Sequence, residues 1–288
     1  MDELTAAIRA RQFIRQVGIS SIPVEMGLCL KEAKAIHKAR HDFPDDVSGN
    51  TTLIAGRHCI FVNGRHTLER QRFTILHEIA HIHLGLPSIH DSLIKTAVLM
   101  GYAKRPPEEI CCDAFAAECL LPYDFFKKDV ARYPVEFGSV EQLAADYQAS
   151  LTCTSSRFAA VNEAPCAFVL AESGVVRYVS SSQAMRELRC WIKIGRPLPP
   201  GSAAHKVRSG YILDGPIEVD AELWIDNLRR DGMSLLEEAR LLSEWDQTLS
   251  LLWFDESSDR PTASLDVISL VASSCGYYRG QIEQRAAQ

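Results

Sequence analysis

Residues 72–87 read RFTILHEIAHIHLGLP and set three histidines and one glutamate within seven positions. His77, Glu78 and His81 spell H-E-x-x-H. Four residues make about one helical turn, so both imidazoles leave one face of a helix and can hold a single metal ion. Glu78, one step from His77, points at the open side of that ion. A carboxylate there can take a proton from water and pass it to a leaving amine. A zinc peptidase site also needs a third protein ligand and an open fourth position. The motif therefore demands that a second element fold back onto its helix. The plainer alternative is a helix with two half-buried, hydrogen-bonded histidines.

A histidine soon after the motif would complete a metzincin-type site, H-E-x-x-H-x-x-G-x-x-H. Here the glycine falls at 85 rather than 84, and His90 lies three places too far, so that pattern fails. His83 is two residues from His81 and points about 200° away around the helix; it reads as packing or surface. A carboxylate on a second helix is available in PPEEICCDAFAAECLLP, residues 106–122. Glu109 and Asp113 are four apart and share a face, the arrangement of a gluzincin-type site. There the glutamate ligates zinc and the aspartate orients a ligating histidine through its far ring nitrogen. Glu108 competes for the ligand role, but it would leave Asp113 five residues away and off the shared face, so Glu109 is preferred. Ala114, Ala116 and Ala117 would let this helix approach the first closely. Cys112, three residues from Glu109, raises the idea of a redox-sensitive thiol near the metal, against the reading of a small buried core residue.

Around this pair the pattern implies an α+β chain. Residues 2–17 read as an amphipathic helix ended by Gly18, and a second helix is expected near 28–40. TTLIAG and HCIFVN read as strands joined by a glycine-containing turn, and the motif helix as running from 67 to 84. Residues 139–164 form two short helices around a serine-rich turn, with a domain boundary near Asn162. The expected domains are thus 1–138, 139–161 and 162–288. Beyond the boundary, residues 166–180 suggest a hairpin, and CWIKIG, GYIL, PIEV and TLSLLWF further strands. SLLEEARLLSEW suggests a helix opened by a capping box from Ser234 to Glu237.

Composition excludes more than it assigns. The formal charge of −6 argues against broad binding to polyanions. No apolar run approaches the roughly 18–20 residues that span a bilayer. The acidic start does not read as a secretory signal. Nine cysteines without regular spacing suit buried thiols in a reducing compartment. A soluble cytoplasmic protein is expected.

Taken in order, the motifs resemble the ImmA/IrrE family of gluzincin-like bacterial metallopeptidases. They are DVSG at 46–49, CIFVN at 59–63, RFTILHEIAH at 72–81, EEICCDAFAAECLLP at 108–122 and SVEQLAADYQASLTCTSSRF at 139–158. The resemblance covers residues 15–161, about half the chain. It implies a mostly helical zincin-like domain with a small sheet and a helix-turn-helix-like segment. It also implies His77, His81 and Glu109 as ligands of Zn2+, Glu78 as catalytic base, and a DNA-binding helix-turn-helix repressor as the protein cleaved, releasing stress-response or mobile-element genes. Mn2+ or Fe2+ can occupy similar ligands. With no repressor domain fused ahead of the peptidase, the chain resembles the stand-alone cleaving partner. Some members carry a C-terminal sensor-like domain resembling GAF folds, and the α+β texture of 162–288 is compatible with one. A small-molecule signal could bind there, and Trp191, Trp224, Trp245 and Trp253 are candidates to line its pocket. Tyr102 and Tyr147 are the candidates to steady a tetrahedral intermediate.

Two other functions compete with the endopeptidase. A transcription regulator could use the 139–158 helix pair on DNA, but Arg157 is its one cation against Glu141 and Asp146, too few for phosphates. A non-catalytic, ligand-sensing adaptor could keep the fold without turnover; the presence of all the catalytic-site residues speaks against it.

Overall fold

The computed structural model describes residues 1–87, 106–226, 228 and 232–255. The chain divides into two compact units: Met1–Phe126 with Leu143–Ser150, and Lys127–Gln142 with the residues described from Leu151 on.

The first unit opens with helix α1, Glu3–Val17, whose N-cap Asp2 accepts the Thr5 N–H at 2.8 Å and whose end is turned by Gly18. Ala6, Ala7, Ala10, Phe13 and Ile14 form its buried stripe. Helix α2, Met26–Glu32, is followed by strand β1, Ala35–Arg40. The helix expected over 28–40 is therefore half helix and half strand. Lys34 takes a left-handed conformation that ends the helix, and the next residues pair in parallel with a later strand. That pairing satisfies the backbone in a way no local pattern announces. β2, Gly49–Ile54, and β3, Arg57–Asn63, are antiparallel, and among the described residues the sheet order β1-β3-β2 leaves β2 on an edge.

Helix α3, Leu68–Leu84, carries the motif. Thr67 caps its start and Gly85 its end, the latter at φ 65. Helix α4, Pro107–Leu120, packs on α1 and α3 through Cys112, Phe115, Ala116 and Cys119, all fully buried. Small residues on this face let the two helices approach closely. Helix α5, Tyr123–Val130, follows, then the expected helix pair, α6 at Phe137–Tyr147 and α7 at Leu151–Val161.

The second unit is built on a five-stranded antiparallel sheet of order β5-β4-β8-β7-β6. Its strands are β4 Cys166–Glu172, β5 Val175–Ser181, β6 Ile217–Asp220, β7 Ser234–Leu242 and β8 Gln247–Trp253. Short helices α8, Gln183–Glu187, and α9, Ala203–Arg208, lie between β5 and β6. α7 packs on β4, β5 and β8. Apolar residues including Val169, Met185, Trp224, Leu235 and Leu252 make the core.

Two expectations fail in this unit. SLLEEARLLSEW is a strand and not a helix. β7 lies between β6 and β8, so both edges of its backbone are paired, and Leu235, Glu237 and Ala239 enter the core with a period of two. Ser234 and Glu237, read as a capping box, do other work: Ser234 bonds Glu218, and Glu237 is a buried acceptor. CWIKIG and GYIL also form no strand. The first contributes one isolated bridge, Ile192 to Ile225, and Ile212 of the second is almost fully exposed. The overall class is mixed α+β, helical in its first part and β-rich in its second.

Candidate metal centre

The rows of α3 and α4 bring His77, His81 and Glu109 together, all three buried, with one ligand atom of each within 4.8 Å of the others. His77 Nε2 lies 3.1 Å from Glu109 Oε2 and 3.1 Å from His81 Nε2, and His81 Nε2 lies 3.4 Å from Glu109 Oε1. Ligands 2.0–2.1 Å from a tetrahedral zinc sit about 3.3 Å apart, so the spacing fits a cation of that size. Glu108, on the same turn as Glu109, is only partly buried and is not in the cluster.

The far ring nitrogens indicate what the near ones offer. His77 Nδ1 is 2.9 Å from Asp113 Oδ1, and His81 Nδ1 is 3.3 Å from the Leu86 carbonyl oxygen. A carboxylate and a carbonyl can only accept, so each Nδ1 carries the proton. With the rings neutral, as metal ligands must be, both Nε2 lone pairs would face each other and the Glu109 carboxylate. Such a convergence of acceptors requires positive charge at its centre, either a proton on a ring or a metal ion. The surroundings favour that charge. Burial opposes charging of His77, but hydrogen bonds to Asp113 and Glu109, with the nearby charge of Glu78, push its pKa up to about 10. Burial would raise the Glu109 pKa, yet His77 and His81 hold it well below the usual carboxylate range. The donor set fits a divalent metal.

Glu78 is fully buried and accepts a hydrogen bond on Oε2 from Thr51 Oγ1 of β2 at 2.7 Å. Gly49 makes this contact possible. A Cβ there would lie 2.6 Å from both the Phe61 carbonyl oxygen and Thr74 Cγ2, so only glycine lets β2 press against α3. That gives the DVSG motif a physical role.

His83 lies outside the cluster, its ring edge-on to Phe13 at 5.0 Å and tilted on Phe115 at 5.6 Å. Cys112 is fully buried, as a small core residue would be, and burial, with the charges of Glu109 and Asp113, pushes its thiol pKa up. Tyr147 is buried with its ring edge-on to Phe126, and Tyr102 lies outside the described residues. Of the four tryptophans, Trp224 is core and Trp245 lies exposed on the β7–β8 turn.

Sequence reasoning missed two members of the site. Thr51 is 27 positions from Glu78 and carries no motif. The Leu86 carbonyl was foreshadowed only by Gly85, whose left-handed turn brings the chain back toward His81.

Residues 28–158, which contain every residue of this centre, match the Peptidase_M78 family, described as the IrrE N-terminal-like domain. Among solved structures, a Mycobacterium tuberculosis transcriptional regulator is similar, with a TM-score of 0.54 and 13% identity over 87% of this chain and 76% of that one. At that identity the likeness concerns fold alone. No curated protein matches the chain.

Proposed function

We propose that this chain, which carries an IrrE N-terminal-like domain, is a metal-dependent endopeptidase of narrow specificity. The observation that carries the reading is the buried convergence of His77, His81 and Glu109 with Glu78 beside them. When bound at those three ligands, zinc supplies Lewis acidity and positive charge where the attacked carbonyl oxygen becomes negative. Manganese or iron would suit the same donors.

The chain's own residues do the rest. Asp113 fixes the tautomer of His77, and the Leu86 carbonyl that of His81. Glu78 accepts a proton from water as the water oxygen bonds the carbonyl carbon. The carbon–nitrogen bond then breaks, and Glu78 returns the proton to the departing nitrogen. Among the described residues β2 has one unpaired edge beside Thr51, where an extended peptide can add as a further strand. A flexible segment of a protein meets that requirement better than a compact domain.

By resemblance, the protein cleaved is a DNA-binding repressor of the helix-turn-helix type, with release of stress-response or mobile-element genes. The residues from 162 on would then serve as a GAF-like sensor for a signal ligand; their antiparallel sheet is compatible with that role. Seven of the eight described cysteines are buried, which supports a reducing, cytoplasmic setting. Among the described residues no helix is long and apolar enough to cross a membrane.

Direct reading of DNA by the helix pair is disfavoured. A recognition helix must present cations, whereas Arg157, the one cation of α7, is 1% exposed, and Thr154, Ser155 and Phe158 are buried with it.

The test is zinc-loaded full-length protein incubated with a peptide library and analysed by mass spectrometry. Wild type should cut a narrow set of peptides. Glu78→Gln should cut none while holding as much zinc. Zinc-loaded wild type that cuts nothing would leave the adaptor reading in its place.

A further inference from the structure

We infer that Thr51 is a positioning residue for Glu78: its hydroxyl fixes the plane and direction of the carboxylate. The inference deepens the peptidase reading and rests on it.

Several observations converge on this pair. Thr51 Oγ1 donates to Glu78 Oε2 at 2.7 Å, a short bond of the charge-assisted kind. Glu78 is fully buried, so no bulk water competes for that oxygen. Thr51 stands opposite Ile60 of β3, which is also fully buried, and shares its face with Gly49 two residues earlier. The absence of a side chain at Gly49 holds β2 against α3 at this level. The hydroxyl is therefore placed by sheet pairing and by a close backbone approach, and not by a flexible loop. A β-branched side chain on a strand is also stiff at χ1, so the donor has one preferred direction.

The carboxylate needs such a guide. Glu78 follows a metal-ligating position on the helix, and its three side-chain torsions would let it swing toward the cation held by His77, His81 and Glu109. With Oε2 committed to Thr51, the direction of Oε1 is set as well. A proton acceptor works only when aimed at the proton it takes. Thr51 acts through Glu78, its hydroxyl being committed to that carboxylate.

The plainer role for Thr51 is to satisfy a buried carboxylate and nothing more. Two isosteric changes separate the roles. Thr51→Val keeps the shape and removes the donor; Thr51→Ser keeps the donor. The assays use zinc-loaded full-length protein and the peptide cut fastest from the library. Thr51→Val should lower kcat about 10- to 100-fold, a share of what an aligned general base contributes. KM and zinc content should not change, and Thr51→Ser should recover most of the rate.

A second readout does not depend on turnover. In cobalt-loaded protein, Thr51→Val should alter the visible absorption spectrum, because an unguided Glu78 moves next to the ion. Thr51→Ser should leave it unaltered, and Thr51→Val/Glu78→Gln should return it to the form of Glu78→Gln alone. Identical cobalt spectra for wild type and Thr51→Val overturn the inference. So does an unchanged kcat in Thr51→Val, or a loss that appears in KM or zinc content instead. If wild type cuts no peptide, the peptidase reading falls by itself, and the cobalt spectra still decide whether Thr51 holds Glu78.

Discussion

Replacing Glu237 by Gln tests how the β-rich unit is held together. Glu237 lies fully buried in β7 and accepts from the Ala203 N–H and Trp224 Nε1 on Oε2 and from the Ala204 N–H on Oε1, each at 2.9 Å. One carboxyl thus ties the start of α9 and the Trp224 segment to the central strand. Burial pushes its pKa above the ordinary value of 4.5, against hydrogen bonds from Trp224 and from the Ala204 and Ala203 amides that favour the anion. A protonated carboxyl keeps both oxygens as acceptors. Glutamine keeps one, and its NH2 must face at least one buried N–H, at a cost of about 1–3 kcal/mol. For a unit of this size that lowers the midpoint by roughly 2–12 °C.

The pH dependence follows from the sign of the shift. A raised folded-state pKa makes the carboxyl's contribution fully present below pH 4.5 and progressively lost as pH rises through the raised value. The gap between wild type and Glu237→Gln should therefore be widest near pH 4.5 and narrow toward neutrality. All four tryptophans lie in the second unit, so thermal melts followed by tryptophan fluorescence report on it alone. No gap at pH 4.5, or a gap that widens with rising pH, would refute the reasoning.

Other outcomes can be read from the first unit. Elemental analysis should find bound metal lost in Glu109→Ala and retained in Glu108→Ala and His83→Ala, since only Glu109 enters the buried cluster. Asp113→Asn should weaken zinc binding about 10- to 100-fold in a chelator competition, because the fixed tautomer of His77 is lost. Gly49→Ala should destabilise the packing of β2 on α3 by about 1–3 kcal/mol, its new Cβ meeting backbone at 2.6 Å. Faster amide exchange in α3 would register that change, and unaltered exchange would count against the close approach.

How much of this was legible beforehand varied with the range of the interaction involved. The motif helix was readable because its period, its Thr67 cap and its Gly85 stop are all local. The four-residue spacings of His77 with His81 and of Glu109 with Asp113 singled out candidate ligands that the fold brings into one cluster, since a helix turns spacing into a shared face. α4 could be paired with α3 on chemistry alone, because two histidines leave a zinc site incomplete.

What the local pattern could not decide was the partner of each strand. Residues 35–40 and 234–242 carry residues that suit a helix, yet both became strands once neighbouring strands claimed their backbones. Ser234 and Glu237 matched a capping box by spacing, but Glu237 caps a different helix, more than thirty residues earlier in sequence. Thr51 belongs to the same class: an ordinary strand threonine until β2 is laid beside α3. The sequence by itself determined the chemistry of the candidate metal centre, because metal ligands are few in kind and helical spacing is rigid. Tertiary structure alone decided which distant hydroxyls, carbonyls and amides complete the buried polar groups, because any of many donors could have met that need and only packing selects one.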